Sequence, residues 1–135
     1  MKKRFIFISC LIISLSLIGC TMRTDKTEKL RDLEFTVLDK DEIPESFMDE
    51  ISERVEKGFK LTFEDQGYLY IAEGYGKQDT SGYSIEAAEL YETENAIYVQ
   101  TDLIGPDNDE EIVERPTYPY IVLKTESVDK NVVFR

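Results

Sequence analysis

The 135-residue chain carries 28 Asp and Glu side chains and two cysteines, and no histidine or tryptophan. Without imidazole it lacks the commonest general base and the commonest zinc ligand. Ser-His-Asp and Cys-His nucleophilic arrangements cannot be built from these residues. Cys10 lies inside an apolar run and Cys20 follows Leu17-Ile18-Gly19, a position where the sulfur is suited to acylation rather than catalysis. Acids crowd at Asp107-Asn108-Asp109-Glu110-Glu111, and loop oxygens of this kind suit Ca2+. The spacing is not that of an EF-hand, and consecutive acids point in different directions. A solvated acidic loop is therefore the favoured reading, and no metal site is assigned. Hydrolysis by paired carboxylates needs two acids opposed across a cleft, and no spacing here selects such a pair. No catalytic residue and no cofactor is expected. What remains is a loop from Gly76 to Tyr83, in which Thr80, Ser81 and Gly82 lie between Tyr75 and Tyr83. Glycines let backbone approach a neighbour closely, and tyrosines are large, stiff and amphipathic contact residues. The loop is a candidate contact surface; the bland alternative is a turn whose tyrosines cover the core.

The N-terminus must position Cys20. Lys2, Lys3 and Arg4 precede an apolar stretch from Phe5 to Ile18, 14 residues long. A membrane span needs about 20 residues, so this stretch is short, and a positive cluster ahead of a short apolar region is the order of a signal peptide. Leu17-Ile18-Gly19-Cys20 has the pattern of a bacterial lipobox. It implies cleavage between Gly19 and Cys20, with the Cys20 sulfur carrying diacylglycerol. Residues 1–19 are expected to leave as the signal, taking Cys10 with them. The competing readings are an ordinary secretory signal and an uncleaved anchor. Under the lipobox reading no disulfide and no free thiol remains. The protein is then held at the extracytoplasmic face of the cell membrane through the Cys20 acyl groups, its contact with the bilayer.

The net charge is -12, and loss of Lys2, Lys3 and Arg4 would leave it at -15. Such a body is repelled by phosphate backbones, so nucleic acid is not an expected partner. Hydrophobic residues make up 41%, enough for a folded domain rather than a disordered one.

Residues 20–32 are polar and read as a tether between lipid and body, spanning on the order of 20 Å as a flexible chain; a short charged helix is the alternative. Residues 33–135 form the expected single domain. Leu33, Phe35 and Val37 alternate with polar residues, which predicts a strand over Leu33–Leu38. Pro44 suits a first helical position. Phe47, Met48, Ile51 and Val55 share one helical face, and Gly58 supplies a left-handed stop. A helix over Pro44–Lys57 follows. The period then drops to two: Phe59, Leu61 and Phe63 alternate with Lys60, Thr62 and Glu64. A turn at Asp65-Gln66-Gly67 leads to a strand over Tyr68–Tyr75. Strands over Gly82–Glu92 and Ala96–Ile104 flank a Glu94-Asn95 turn. After a loop over Gly105–Glu114, Pro119–Thr125 and Asn131–Phe134 complete the strands. Hairpin spacing argues for antiparallel pairing. The expected fold class is α+β or mostly β: a single antiparallel β-sheet or sandwich-like domain, with one N-terminal amphipathic helix packed on it.

Three segments carry a family resemblance: Gly67-Tyr68-Leu69-Tyr70-Ile71-Ala72-Glu73-Gly74-Tyr75-Gly76, Thr80-Ser81-Gly82-Tyr83-Ser84-Ile85 and Thr117-Tyr118-Pro119-Tyr120. Their order and spacing, with Gly105-Pro106 between them, resemble the PrcB family, named for a lipoprotein subunit of a bacterial surface protease complex. The resemblance covers about Phe59 to Phe134. Ser81 stands where the family usually has glycine, and Asp79 where proline is common. The resemblance implies a non-catalytic accessory or scaffold subunit that binds a protein partner, with a surface protease as the partner it suggests. Tyr75, Thr80, Ser81, Gly82, Tyr83, Tyr118 and Tyr120 are the partner-binding candidates. Thr80-Ser81-Gly82-Tyr83 also resembles the wedge loop of chagasin-type cysteine-protease inhibitors, although Gln78-Asp79 replaces the Asn-Pro that usually precedes it. Protease inhibition, or a structural envelope lipoprotein without a specific ligand, are the alternative functions.

Overall fold

A computed structural model describes residues 28–135. The signal segment, the Gly19-Cys20 junction and the tether up to residue 27 lie outside the described residues.

Two four-stranded sheets and one short helix make up the body. In chain order the elements are β1 (Lys29–Asp32), β2 (Phe35–Val37), α1 (Glu45–Ser52), β3 (Phe59–Asp65), β4 (Tyr68–Gly74), β5 (Ser84–Thr93), β6 (Ala96–Ile104), β7 (Tyr120–Glu126) and β8 (Asn131–Phe134). Sheet A runs β1-β5-β6-β8 and sheet B runs β2-β7-β4-β3. Of the two expected arrangements, the single sheet is corrected to two sheets, which agrees with the sandwich-like alternative. Alternation shows which side chains are buried, but not which strand lies opposite them.

The layers follow from the two faces of sheet B. Leu69, Ile71, Ile121 and Leu123 from its inner face pack with Leu90, Ile97 and Val99 of sheet A. Tyr70, Ala72 and Val122 point the other way and pack with Phe47 and Ile51 of α1. β4 and β7 are therefore covered on both sides. That accounts for the nearly unbroken apolar run Leu69-Tyr70-Ile71-Ala72, where a half-exposed strand would alternate.

The turn residues behave as expected. Gln66 and Gly67 have φ of 50° and 82°, the left-handed pair of a two-residue hairpin turn, and join β3 to β4. The helix is shorter than the Pro44–Lys57 span read from periodicity. Pro44 sits just before it and accepts the Met48 N–H at 2.9 Å. Past Ser52 the bonding tightens, with Arg54 N–H on Ile51 O and Lys57 N–H on Arg54 O. Ser52 Oγ and Arg54 Nη1 donate to Met48 O and Glu50 O, satisfying carbonyls that a helix end leaves open.

The N-terminal boundary also differs in local structure. Lys29–Asp32, read as tether, pair with Tyr91–Thr93 as β1. Leu33 then crosses between the sheets and is buried, and β2 pairs with Leu123–Thr125 in sheet B. The predicted strand Leu33–Leu38 is thus a sheet-switching segment. The antiparallel expectation fails once: β8 runs parallel to β6, Ala96–Val99 beside Asn131–Phe134. β8 follows β7, which belongs to the other sheet, so no hairpin sets its direction.

Sheet A is tied at one end by a polar cluster. Arg31 Nε donates to Glu92 Oε2 at 2.6 Å, and Lys130 Nζ donates to Glu92 Oε1 at 2.7 Å and to Thr93 O at 2.8 Å. Bonding from Lys130, then Arg31, holds the Glu92 carboxyl below its ordinary value of 4.5. A folded-state pKa below the unfolded value contributes stability above the unfolded value and loses it as pH falls through the folded one. Acid titration should show Glu92→Gln losing less stability than the parent once pH drops below about 4.5. Parallel stability–pH curves for the two proteins would rule out this linkage.

Candidate functional site

The Gly76–Tyr83 loop is built from glycine constraints at its root. β4 ends at Gly74, where a Cβ would lie 2.4 Å from the Phe59 ring. Gly76 is buried with φ of 75°, and a Cβ there would meet Gly58 N at 3.1 Å and Lys57 C at 3.2 Å. Lys77 N–H donates to Glu56 O at 3.2 Å. The root of the loop is thus pressed onto the turn that follows α1.

The outer part is clasped by the loop between β6 and β7. Gln78 and Thr117 exchange two backbone bonds of 2.8 and 2.9 Å. Thr117 Oγ1 donates to Thr80 O at 2.7 Å. Ser81 N–H donates to Val113 O at 3.0 Å, and Val113 N–H returns a bond to Ser81 Oγ at 2.8 Å. Gly82 has φ of 92°, and a Cβ there would lie 2.6 Å from Pro106. Tyr83 lies against Gly105. Two long loops that would each be costly to order alone are held as one tip.

The seven candidate side chains divide by direction. Tyr75 turns inward: its hydroxyl donates to Thr101 O at 2.9 Å, and the Thr101 hydroxyl donates to the buried Glu73 at 2.7 Å. Tyr120 packs beside α1, its ring 6.2 Å from that of Phe59 and its hydroxyl facing Met48 Sδ. Burial pushes both phenols above their ordinary value. Thr80, Ser81, Gly82 and Tyr83 are half-buried in the clasp. Tyr118 is exposed on the chain leading into β7. Pro119 precedes β7, so its missing N–H removes no ladder bond.

Sequence reasoning passed over the apolar side chains of the tip. Ile112 and Val113 are 46% and 56% exposed, and Ile104 at the end of β6 is exposed as well. An Ile-Val pair inside an acidic loop was the signal available, since a loop built only for solvation has no use for it. Exposed acids, among them Asp107, Asp109, Glu110, Glu111 and Glu114, surround the pair in sequence. Asp107 and Glu110 close a turn on each other, with Glu110 N–H on Asp107 O and Asp107 N–H on Glu110 Oε2. Among the described residues no three His, Cys, Asp or Glu side chains converge as a metal site. The tip offers hydroxyls and exposed apolar area on two loops braced against each other.

Fold and tip together define a β-sandwich with one tip built from two clasped loops. Residues 69–126 match the family model described as PrcB C-terminal, so that part of the chain is similar to the PrcB family. The match runs from β4 through β7 and contains both clasped loops. No curated protein and no solved structure matches the chain.

Proposed function

We propose that this protein is a membrane-anchored, non-catalytic accessory lipoprotein. Its tip, formed by the 76–83 and 105–119 loops, binds a protein partner, and that partner is a surface protease. The single observation that carries this reading is the family match over the segment that builds the tip. The exposed Ile112, Val113 and Tyr118 support it, because apolar and aromatic side chains on a braced loop bind at low entropic cost. Cys20 supplies the anchor.

The test is crosslinking in intact cells from a photoreactive group placed at residue 112, followed by identification of the crosslinked protein. A surface protease should be captured by the parent. Ile112→Asp with Val113→Asp should reduce crosslinking from a second photoreactive group, at residue 118, by about tenfold with unchanged thermal stability. Cys20→Ala should release or mislocalise the protein and leave it folded. Capture of no protease would refute the partner. Membrane retention of a cleaved Cys20→Ala protein would refute the anchor.

A further inference from the structure

Sheet A is completed along only part of β5. That strand is ten residues long, yet β1 pairs with it only at Tyr91, Glu92 and Thr93. Leu33 N–H donates once more, to Leu90 O at 3.0 Å, and the chain then leaves for sheet B. Ser84–Ala87 and Glu89 pair with β6 on one side, with a register shift at Ala88. On the other side no strand or backbone bond reaches them among the described residues. An open strand edge is a template for another strand.

The ground beside this edge mixes apolar side chains with the charged pair Asp39 and Lys40. A groove of about 390 Å³ lies there, lined by Val37, Leu38, Ile43, Ile85, Tyr118 and Val122 among others. Ile85 belongs to both the groove and the open edge, and Val37 is more than half exposed. Alternate side chains of an added strand would point inward toward Ile85 and this groove, the others onto the outer face of sheet A.

The outer face states which charge the second set should carry. Glu86 stands directly opposite Asp102 across β5 and β6, and both are exposed. Like charges in such a pair are destabilising, and no salt bridge among the described residues reaches either one. The cations of this sheet are engaged at its other half. Lys29 lies over Tyr91 and Arg135 over Tyr98, while Arg31 and Lys130 hold Glu92.

We propose that the open edge of β5, Ser84–Glu89, receives an extended segment of a partner protein in which basic and apolar side chains alternate. Backbone bonds supply the pairing, the apolar side chains cover Ile85 and the groove, and the basic ones neutralise Glu86 and Asp102. This surface adjoins the tip at Tyr118, which lines the groove, but its pairing edge, Ser84–Glu89, lies outside the tip loops and does not depend on the tip's partner.

The probe is an end-blocked peptide of about nine residues alternating lysine and valine. It is offered to the full-length lipidated protein in detergent, with binding followed by anisotropy and hydrogen exchange. The peptide should bind and slow exchange within Ser84–Glu89. Glu86→Lys with Asp102→Lys should weaken it by about tenfold or more. On the parent protein, the same peptide methylated on alternate backbone nitrogens should lose binding, since it cannot pair. A glutamate–valine peptide should not bind. The proposal is overturned by no binding, by protection outside Ser84–Glu89, or by undiminished affinity of the methylated peptide. It is equally overturned if the charge-reversed protein binds as well as the parent. Concentration-dependent dimerisation that protects the same amides without peptide would assign the edge to a second copy instead.

Discussion

Phe47→Ala should lower the unfolding free energy by about 3–5 kcal/mol. Phe47 has no exposed surface. Its ring stacks on Phe63 at 5.2 Å and meets the Tyr70 ring edge-on at 6.4 Å. Truncation would remove the centre of the cluster that holds α1 to sheet B, and two aromatic rings that each belong to a strand cannot collapse into the space. Domains of this size have about 5–15 kcal/mol in total, so the loss is a large share. Denaturant unfolding measures it directly. A midpoint shifted by less than the equivalent of about 1 kcal/mol would mean that the helix is not a structural part of the body. The effect should also reach the tip, because Glu56 and Lys57, at the end of the turns following α1, contact Lys77 and Gly76.

Gly58→Val should cost about 2–6 kcal/mol, combining left-handed backbone strain with overpacking. Gly58 has φ of 77°, a region that β-branched residues rarely enter. A Cβ there would lie 2.9 Å from Gly74 O and 3.3 Å from Gly76 N. Both neighbours are backbone, so no flexible side chain can swing away. The substitution drives the turn after α1 off the root of the 76–83 loop. Exchange at Lys77 and Gln78 should accelerate more than exchange in β6. Uniform acceleration over the whole domain would indicate global destabilisation with no particular coupling to the tip.

These two sites act on the same joint, and that joint shows how far a linear reading extends. The amphipathic face Phe47, Ile51 and the punctuation at Gly58 are local patterns. They correctly placed a helix against the core and a left-handed residue after it. The helix length was overread because Val55 continues the 3.6-residue spacing. Its partial burial arises instead from a tightened turn, which has nearly the same periodicity over one step. Similarly, the strands β3 to β7 were legible within one or two residues, since alternation, Gln66-Gly67 and Glu94-Asn95 are all local signals. A sandwich was one of two expected arrangements, but which strand belongs to which sheet was not legible. Leu33 and Phe35 read as one alternating strand, yet Leu33 is buried between the sheets while Phe35 is on β2 in sheet B.

The candidate loop divides in the same way. Its glycines and tyrosines were visible, and the absence of histidine excluded imidazole-based nucleophilic arrangements without any fold. Which tyrosine faces outward was decided by partners far away in sequence: Thr101 turns Tyr75 inward, and α1 with Phe59 takes Tyr120. The pairing of Ser81 with Val113 and of Gln78 with Thr117 joins residues more than thirty positions apart, and no periodicity records such a contact.

The sequence alone therefore determined the absence of histidine-based chemistry, the similarity of residues 69–126 to the PrcB family and the positions of most strands. Each rests on residue identity or on spacing within a few positions. Tertiary structure alone decided the two-sheet layering, the parallel β8, the clasped tip and the open edge of β5. Each of these depends on which distant segment lies alongside. Burial at a given position is compatible with several neighbours, and only the packed chain selects one.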